Sequence, residues 1–222
     1  MRASGSSRAS RRRSPRGWHK ALTAAACVTL SGCVPVLVPL EPRPPLLEVP
    51  RDGVAPAASA AAPTAAEREY FRENPLMVPV AGIDPTRIRD SFNDPRSGGR
   101  THRAFDIMAP RLTPVIAASG GRILAMRENS LGGTTLYIVD EAGRFAHYYA
   151  HLDGYAAGIR EGMDVAQGTL LGYVGSTGNA SANAPHLHFQ VLRVDRNRRD
   201  WWNGAAVDVR EFFALTGREA RR

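Results

Sequence analysis

The stretch Asn183–Val191, NAPHLHFQV, places two histidines on either side of one leucine inside a run with the composition of a buried strand. Side chains two positions apart in a strand point to the same face, so His186 and His188 lie side by side while Leu187 and Phe189 face the other way. An isolated pair of this kind is most often two solvated or hydrogen-bonded surface histidines. The rest of the chain decides whether these two imidazoles do more than that.

The residues around this stretch predict a mainly β fold. Short apolar runs rich in Val, Ile, Leu and Tyr are separated by glycine and other turn residues: TPVIAAS, GGRILAMRE, GGTTLYIVDE, GRFAHYYAHL, GTLLGYVGS and HLHFQVLRV. Within residues 77–215, only DVREFFAL, near the end of the chain, has a helical period. We therefore expect residues 77–215 to form one predominantly antiparallel domain, a sandwich or a folded sheet with few short helices.

Two further motifs carry residues that can act together with His186 and His188. His102 and Asp106 are four positions apart in GGRTHRAFDIMAP, so they share a face in a strand or in a single helical turn. Alone, such a pair is commonly a surface ion pair. In YYAHLDG, His151 is expected to end a strand before a turn. A mixed set of His and Asp ligands with one open position is how zinc is bound at catalytic sites.

Spacing alone leaves two questions about these histidines open. If the strand that contains His151 is continuous, His147 and Tyr149 share its face, and parity would let His147 join the site. The alternative for His147 is a histidine whose hydrogen bonds are satisfied within the sheet. Periodicity also does not say which of His186 and His188 would bind a metal.

Taken in order, the motifs resemble those of the LytM/lysostaphin-type peptidases of family M23, whose pattern is H-x-x-x-D, then Y-x-H-L, then H-x-H. Here they read His102-Arg-Ala-Phe-Asp106, Tyr149-Ala-His151-Leu152 and His186-Leu-His188. The stretches DIMAPRLTPVIAASGGRI, REGMDVAQGTLLGYVGSTGN and WWNGAAVDV are also similar to family sequence in the same order. The resemblance implies a LytM-like, antiparallel-sheet peptidase domain of the duplicated hybrid motif type.

The resemblance also implies a role for each of the five residues. His102, Asp106 and His188 would bind one Zn²⁺ per domain. His151 and His186 would flank the metal as catalytic residues, one taking a proton from the attacking water and the other donating to the oxyanion. Which of the two does which stays open.

Two positions call for separate expectations. The family usually has glycine where this chain has Ala104, and because alanine is the smallest change available, we expect a slightly tighter backbone and an intact site. His147 is not a family position, so we expect it to be a satisfied histidine of the sheet. Trp201 and Trp202 are expected to pack beside the last strand rather than face substrate. The loops at 94–101 and 176–185 are expected to wall the cleft.

The family cleaves peptide bonds in bacterial cell-wall peptidoglycan, so the resemblance implies a zinc-dependent endopeptidase that hydrolyses cross-links between stem peptides. The alternative is a non-catalytic LytM-type activator of cell-wall amidases. In such proteins the metal-binding residues are degraded, whereas all five positions are present here. A peptidase that acts on a protein substrate is a third possibility, because no wall-binding repeat is visible.

The basic charge of the chain comes from its N-terminus. The net charge is +8, with an isoelectric point near 10.3. Seven of the 29 basic residues lie within the first twenty positions, which contain no acid, and the remaining 22 stand against 21 acids. A nearly neutral remainder without a phosphate-binding glycine loop argues against nucleic acid as a partner.

The N-terminal segment resembles an export signal. After the basic stretch, ALTAAACVTLSGC at 21–33 is apolar and ends in small residues. Within it, Leu30-Ser31-Gly32-Cys33 resembles the lipobox of bacterial lipoproteins. We therefore expect 1–32 to be a signal peptide and a lipid on Cys33 to hold the exported chain on the periplasmic face of a bacterial membrane, the outer one being favoured. An uncleaved anchor at 21–40 is the alternative, since that run has about the length of a membrane span.

The residues between this signal and the domain predict a spacer and a helix. Residues 33–66 hold eight of the sixteen prolines and cannot bury a core, so they predict an extended linker that gives the domain reach. The stretch AAEREYFREN predicts a short helical lead-in, assigned to 67–76, with Tyr70 and Phe71 packing on the domain and Pro75 ending it. Residues 216–222 form a basic tail.

Overall fold

The structure is a computed structural model that describes residues 62–195 and 204–213. The expected signal peptide, Cys33, most of the spacer, the tryptophan pair Trp201–Trp202 and the basic tail lie outside these residues, so what we expect of them stays a prediction. Within the described residues, no helix has both the length and the apolar character needed to cross a bilayer.

Antiparallel strands make up most of the described chain: β1 Pro95–Arg96, β2 Arg100–Thr101, β3 Phe105–Met108, β4 Pro114–Ile116, β5 Gly121–Asn129, β6 Gly133–Asp140, β7 Phe145–Tyr155, β8 Asp164–Val165, β9 Leu170–Val174 and β10 His186–Arg193. β1 and β2 form a separate hairpin. The main sheet runs in the order β3-β10-β7-β6-β5-β8, and β9 pairs with both β4 and β7. Each of the six apolar runs contains one of these strands. The predicted mainly β fold with few short helices is confirmed.

The predicted lead-in helix is present as α1, Ala65–Glu73. It begins at a capping box, in which the Thr64 side chain accepts a hydrogen bond from the backbone of Glu67 while the Glu67 carboxylate accepts one from the backbone of Thr64. At the other end of the described chain, residues 208–213 of DVREFFAL contain the 3₁₀ turn Arg210–Phe212 in place of the expected α-helical turns. Phe213, which follows this turn, forms a bridge with Leu76.

The helix α1 is packed into the domain core. The Phe71 ring lies 4.6 Å from that of Phe145 and 5.2 Å from that of Phe212, and it is 1% exposed. The Arg193 guanidinium at the end of β10 donates to both carboxylate oxygens of Glu67, at 2.6 and 2.8 Å. The hydrogen bond from Arg193 is the main reason why the pKa of Glu67 is lowered to about 2. These contacts tie the helix to the strand that carries the H-x-H pair.

The strand β10 packs against the core through one of its two faces. Leu187, Phe189 and Val191 are fully buried, while His186 and His188 on the opposite face are partly exposed. The alternation expected for NAPHLHFQV therefore holds along this strand. Its two neighbours are β3 and β7, which bring the other predicted site residues to the same face.

The strand β7 contains an irregularity beside this face. Its pairing with β6 shifts register between Leu152 and Tyr149, and its pairing with β9 shifts at Leu152. His151 has a left-handed backbone, with φ 60°. The expectation that His151 ends the strand is wrong, because β7 continues through it to Tyr155. A bulge of this kind re-aims the side chains that follow it.

Candidate active site

His102, Asp106 and His188 direct three ligand atoms towards one point. Asp106 on β3 pairs directly with His188 on β10, and His102 lies in the turn that precedes β3. Nε2 of His102 is 2.9 Å from Oδ1 of Asp106 and 3.0 Å from Nδ1 of His188. That Nδ1 is 3.1 Å from the same Oδ1. In the part of the chain that the structure describes, this is the one group of three His, Cys, Asp or Glu side chains that meets the spacing of a metal site.

Hydrogen bonding leaves these atoms as electron-pair donors. Nδ1 of His102 lies 2.9 Å from the carbonyl oxygen of Ser91, which can only accept, so Nδ1 carries the hydrogen and the neutral ring keeps its lone pair on Nε2. Burial lowers the pKa of His188. Burial would raise the pKa of Asp106, but its contacts with the two imidazoles lower it well below the usual range. The carboxyl is therefore ionised.

This donor set fits a zinc ion. If Nε2 of His102 carries no proton, its lone pair and the carboxylate of Asp106 meet at 2.9 Å, and a cation bound between them would offset their repulsion. Ligand atoms around tetrahedral zinc, at ~2.0–2.1 Å from the metal, lie roughly 3.3–3.4 Å apart, close to the separations found here. The bond from Nδ1 of His102 to a backbone carbonyl is also the outer-shell contact that metal-binding histidines usually make.

His151 and His186 lie beside the three donor atoms. Nε2 of His186 is 3.7 Å from Oδ1 of Asp106. The His151 ring centroid is 4.9 Å from that of His186 and 5.7 Å from that of His188. All five predicted site residues are thus brought together, although positions 102 and 188 are far apart along the chain. Their roles as ligands and catalytic residues stay predictions.

Both flanking histidines are held in the same tautomer. Nδ1 of His151 lies 2.8 Å from the carbonyl oxygen of Thr177, and Nδ1 of His186 lies 2.8 Å from that of Ala184. Each Nδ1 therefore donates, and in the neutral ring the lone pair is on Nε2. Burial, helped by the neighbouring His188, lowers the pKa of His151 to about 4. His151 is accordingly neutral at neutral pH and able to accept a proton.

His147 lies on the opposite face of the sheet. Its ring centroid is 6.0 Å from that of Phe189 in the core, and the residue is 1% exposed. Nδ1 lies 3.1 Å from Oγ of Ser119, but Nε2 has no hydrogen-bond partner. His147 therefore lies in the sheet, as expected. The expectation that its hydrogen bonds are satisfied is wrong, because only one of its two ring nitrogens has a partner. Burial lowers the pKa of His147 to about 4.

The substitution at Ala104 leaves the site in order. Ala104 is fully buried, and its carbonyl oxygen accepts a hydrogen bond from Oγ of Ser91. The same Ser91 holds His102 through its own carbonyl and accepts the backbone N–H of Asp106. The expected intact arrangement around His102 is found.

One residue at the site was missed by the sequence motifs. The Arg96 guanidinium in β1 donates to Oδ2 of Asp106, whereas the histidines contact Oδ1. The loop at 94–101, which was expected to wall the cleft, contains a hairpin, β1–β2, with Gly98 and Gly99 at its turn. The sequence PRSGGR carries a hairpin signal in its two glycines, but nothing in it marks the partner of Arg96.

Comparison with known proteins agrees with this geometry. Residues 100–208, which contain His102, Asp106, His151, His186 and His188, match the sequence profile of Peptidase family M23. The chain carries an M23 peptidase domain. The domain thus covers the whole candidate site, while α1 and the capping turn before it lie outside the matched residues.

Curated relatives are similar to this M23 domain over part of their lengths. The L-Ala--D-Glu endopeptidase of Bacillus subtilis is 35% identical over 120 residues, covering 51% of this chain and 36% of the relative. The peptidoglycan DD-endopeptidase ShyC of Vibrio cholerae is 29% identical, covering 61% and 30%. The cell division protein DipM of Caulobacter vibrioides is 32% identical over 163 residues, covering 73% and 25%. The chain thus spans about a third or less of each relative, and the likeness concerns the domain.

Proposed function

We propose that this chain is a zinc-dependent endopeptidase that hydrolyses the peptide cross-links of bacterial cell-wall peptidoglycan. The observation that carries the proposal is the meeting of three ligand atoms, from His102, Asp106 and His188, within 3.1 Å of one another. Two more histidines adjoin them with Nε2 free to act. The M23 domain, and relatives named as endopeptidases, support hydrolysis of a peptide bond.

The side chains divide the chemistry between them. A zinc ion bound by His102, Asp106 and His188 would supply a water of lowered pKa and would polarise the scissile carbonyl. His151 and His186 each donate Nδ1–H to a backbone carbonyl, which leaves the lone pair of the neutral ring on Nε2, and their ring centroids are 4.9 Å apart. One ring would accept the proton of the attacking water at Nε2, and the other would donate to the oxyanion once its own Nε2 holds a proton. No side-chain nucleophile is required.

The second candidate function is a non-catalytic role as an activator of cell-wall amidases. The similarity to a protein named for cell division, DipM, over 73% of this chain favours it. The complete set of five site residues favours the enzyme instead, because an activator has no use for an intact group of metal donors. Hydrolysis of a protein substrate would leave the same site in place and differ only in what the cleft accepts.

Digestion of purified peptidoglycan by the zinc-loaded chain tests the proposal. We expect soluble muropeptides with new free termini, loss of that release with a chelator, and recovery on adding zinc. Mass spectrometry of defined muropeptides identifies the bond. An inert chain that increases amidase activity would support the activator, and cleavage of protein but not of peptidoglycan would support the third possibility.

We further propose that the domain is exported and anchored through a lipid on Cys33, at the periplasmic face of a membrane. The support is the lipobox-like Leu30-Ser31-Gly32-Cys33 and the proline-rich spacer after it. The spacer would let the domain reach a polymer that lies off the membrane. The mass of the mature N-terminal peptide tests this, since an unmodified peptide, or one that begins before Cys33, contradicts it.

A further inference from the structure

The Arg96 side chain reaches the candidate metal site from a short hairpin. Residues 95–101 pair Pro95 with Thr101 and Arg96 with Arg100, and the turn contains Gly98 and Gly99 with φ 74° and 71°. From this hairpin the guanidinium of Arg96 donates to Oδ2 of Asp106. The Arg96 side chain is 39% exposed and that of Asp106 only 20%, so the contact lies at the mouth of the site.

The two oxygens of Asp106 thus have different partners. Oδ1 faces His102 and His188 at 2.9 and 3.1 Å, whereas Oδ2 faces the guanidinium of Arg96. A carboxylate that binds a metal through one oxygen takes up one coordination position, and a carboxylate that binds through both takes up two. A catalytic zinc site with three protein ligands depends on a position that stays open for water.

We propose that Arg96 is a positioning residue that keeps Asp106 a one-oxygen ligand and so preserves the open position for water. The proposal rests on the zinc-peptidase function proposed above. Arginine suits the task because its planar guanidinium is always charged and gives directed hydrogen bonds to carboxylate oxygens. Without Arg96, Oδ2 has lost its hydrogen-bond partner and is free to turn towards the cation.

The chain offers a matched control for an arginine–carboxylate pair outside the site. Arg122 on β5 donates to both oxygens of Asp164, at 2.9 and 3.2 Å, and its side chain is 27% exposed. β5 and β8 lie at the far edge of the main sheet from β3. If Arg96 were an ordinary surface ion pair, its removal would change the metal site no more than the removal of Arg122.

The test compares full-length wild type, Arg96→Ala, Arg96→Lys and Arg122→Ala, each loaded with Co²⁺ or Zn²⁺. We expect Arg96→Ala to bind one metal ion with a weaker visible absorption per bound cobalt, as higher coordination produces. We expect its kcat to fall about 10–100-fold, the usual effect of removing an outer-shell partner, with KM nearly unchanged. Arg96→Lys should restore part of both signals, and Arg122→Ala should match wild type.

Two results overturn the inference, and they differ from each other. A cobalt spectrum and a kcat for Arg96→Ala that match wild type show that Arg96 does not position Asp106. Wild type that binds neither metal refutes the proposed function together with the role of Arg96. If Arg96→Ala does not fold, as circular dichroism would show, Arg96→Lys decides the matter, because a wild-type spectrum and kcat in that variant would also contradict a need for the guanidinium.

Discussion

His147 and His151 stand on the same strand, four residues apart, and have opposite surroundings. Both are buried, at 1% and 7% exposure, and burial lowers the pKa of each to about 4. His147 nevertheless faces Phe189 in the core, while His151 faces His186 and His188. Burial and a lowered pKa therefore do not by themselves identify a histidine of the site. The side chains that surround the ring distinguish the two.

The difference between the two histidines arises in the backbone. With regular alternation they would share a face, as the sequence spacing predicts. The register shift before Leu152 and the left-handed φ of His151 place its ring on the opposite face instead. The new position is held by two carbonyls, because the backbone N–H of His151 donates to Gly132 at 2.7 Å and its Nδ1 donates to Thr177.

The largest expected effect concerns the candidate active site, which His151 faces. His188→Ala should abolish zinc binding, because it removes a donor atom that lies 3.0 and 3.1 Å from the other two. His186→Ala should keep one zinc ion per chain and lose about 10²–10³ in rate, as when an oxyanion donor is removed. Metal content after dialysis and kcat/KM on muropeptides measure both variants. Equal zinc loss in the two variants would mean that the different roles given to His186 and His188 are wrong.

A smaller effect is expected from a substitution that displaces the Thr177 carbonyl, which holds His151, without changing the metal-binding residues. Gly178 has φ 70°, and a Cβ there would lie 2.3 Å from the backbone nitrogen of Gly133. Gly178→Ala should therefore shift the neighbouring Thr177, whose carbonyl orients His151. We expect full zinc binding with a loss of roughly 10²-fold in kcat, the size of effect that a misplaced catalytic group produces.

Gly158→Ala is the control for Gly178→Ala. Gly158 also has a left-handed backbone, with φ 83°, but a Cβ there meets no atom within 4 Å. It therefore carries the backbone strain of the substitution without the collision. If the two variants lose activity equally, the position of the Thr177 carbonyl is not what matters.

Local chemistry explains why most of the fold was predictable. Each apolar run between glycines became a strand, since short β-rich segments with turn residues at both ends have few other ways to bury their side chains. The strands β1, β2, β3 and β8 were not among the six predicted runs, because segments of two to four residues are too short to show a clear alternation. The 3₁₀ turn at Arg210 was read as helical because its period does not reveal the bridge from Phe213 to Leu76.

The site was predictable to the extent that its strands are regular. The pair on β10 followed from alternation, since the strand keeps it. The positions of His151 and His147 on opposite faces could not be predicted in this way. They depend on a bulge in β7, and a bulge arises from tertiary pairing that the spacing of residues does not encode. The role of Arg96 could not be predicted for a related reason. Its partner Asp106 is ten positions away, across a turn whose geometry determines where the Arg96 side chain points.

The smallest expected effect concerns His147, the histidine that faces the core. Burial disfavours the charged ring and lowers the pKa of His147 to about 4 in the folded chain, against the ordinary 6.5 in the unfolded one. The unfolded state therefore holds more protons between these values, and folded-state stability falls as pH falls through that window. From pH 7 to pH 5 the loss due to His147 should be about 2 kcal/mol, and His147→Gln should remove it.

Urea unfolding of wild type and His147→Gln at both pH values, in zinc-saturating buffer, isolates this contribution. The other titratable groups are the same in both proteins, so their effects cancel in the difference between the two pH dependences. Asp140, the charged group that acts on His147, is also unchanged. Parallel curves would mean that folding does not lower the pKa of His147, which would contradict the effect of its burial. At pH 7 the variant should retain wild-type kcat, because this imidazole faces the core while its counterpart at 151 faces the metal donors.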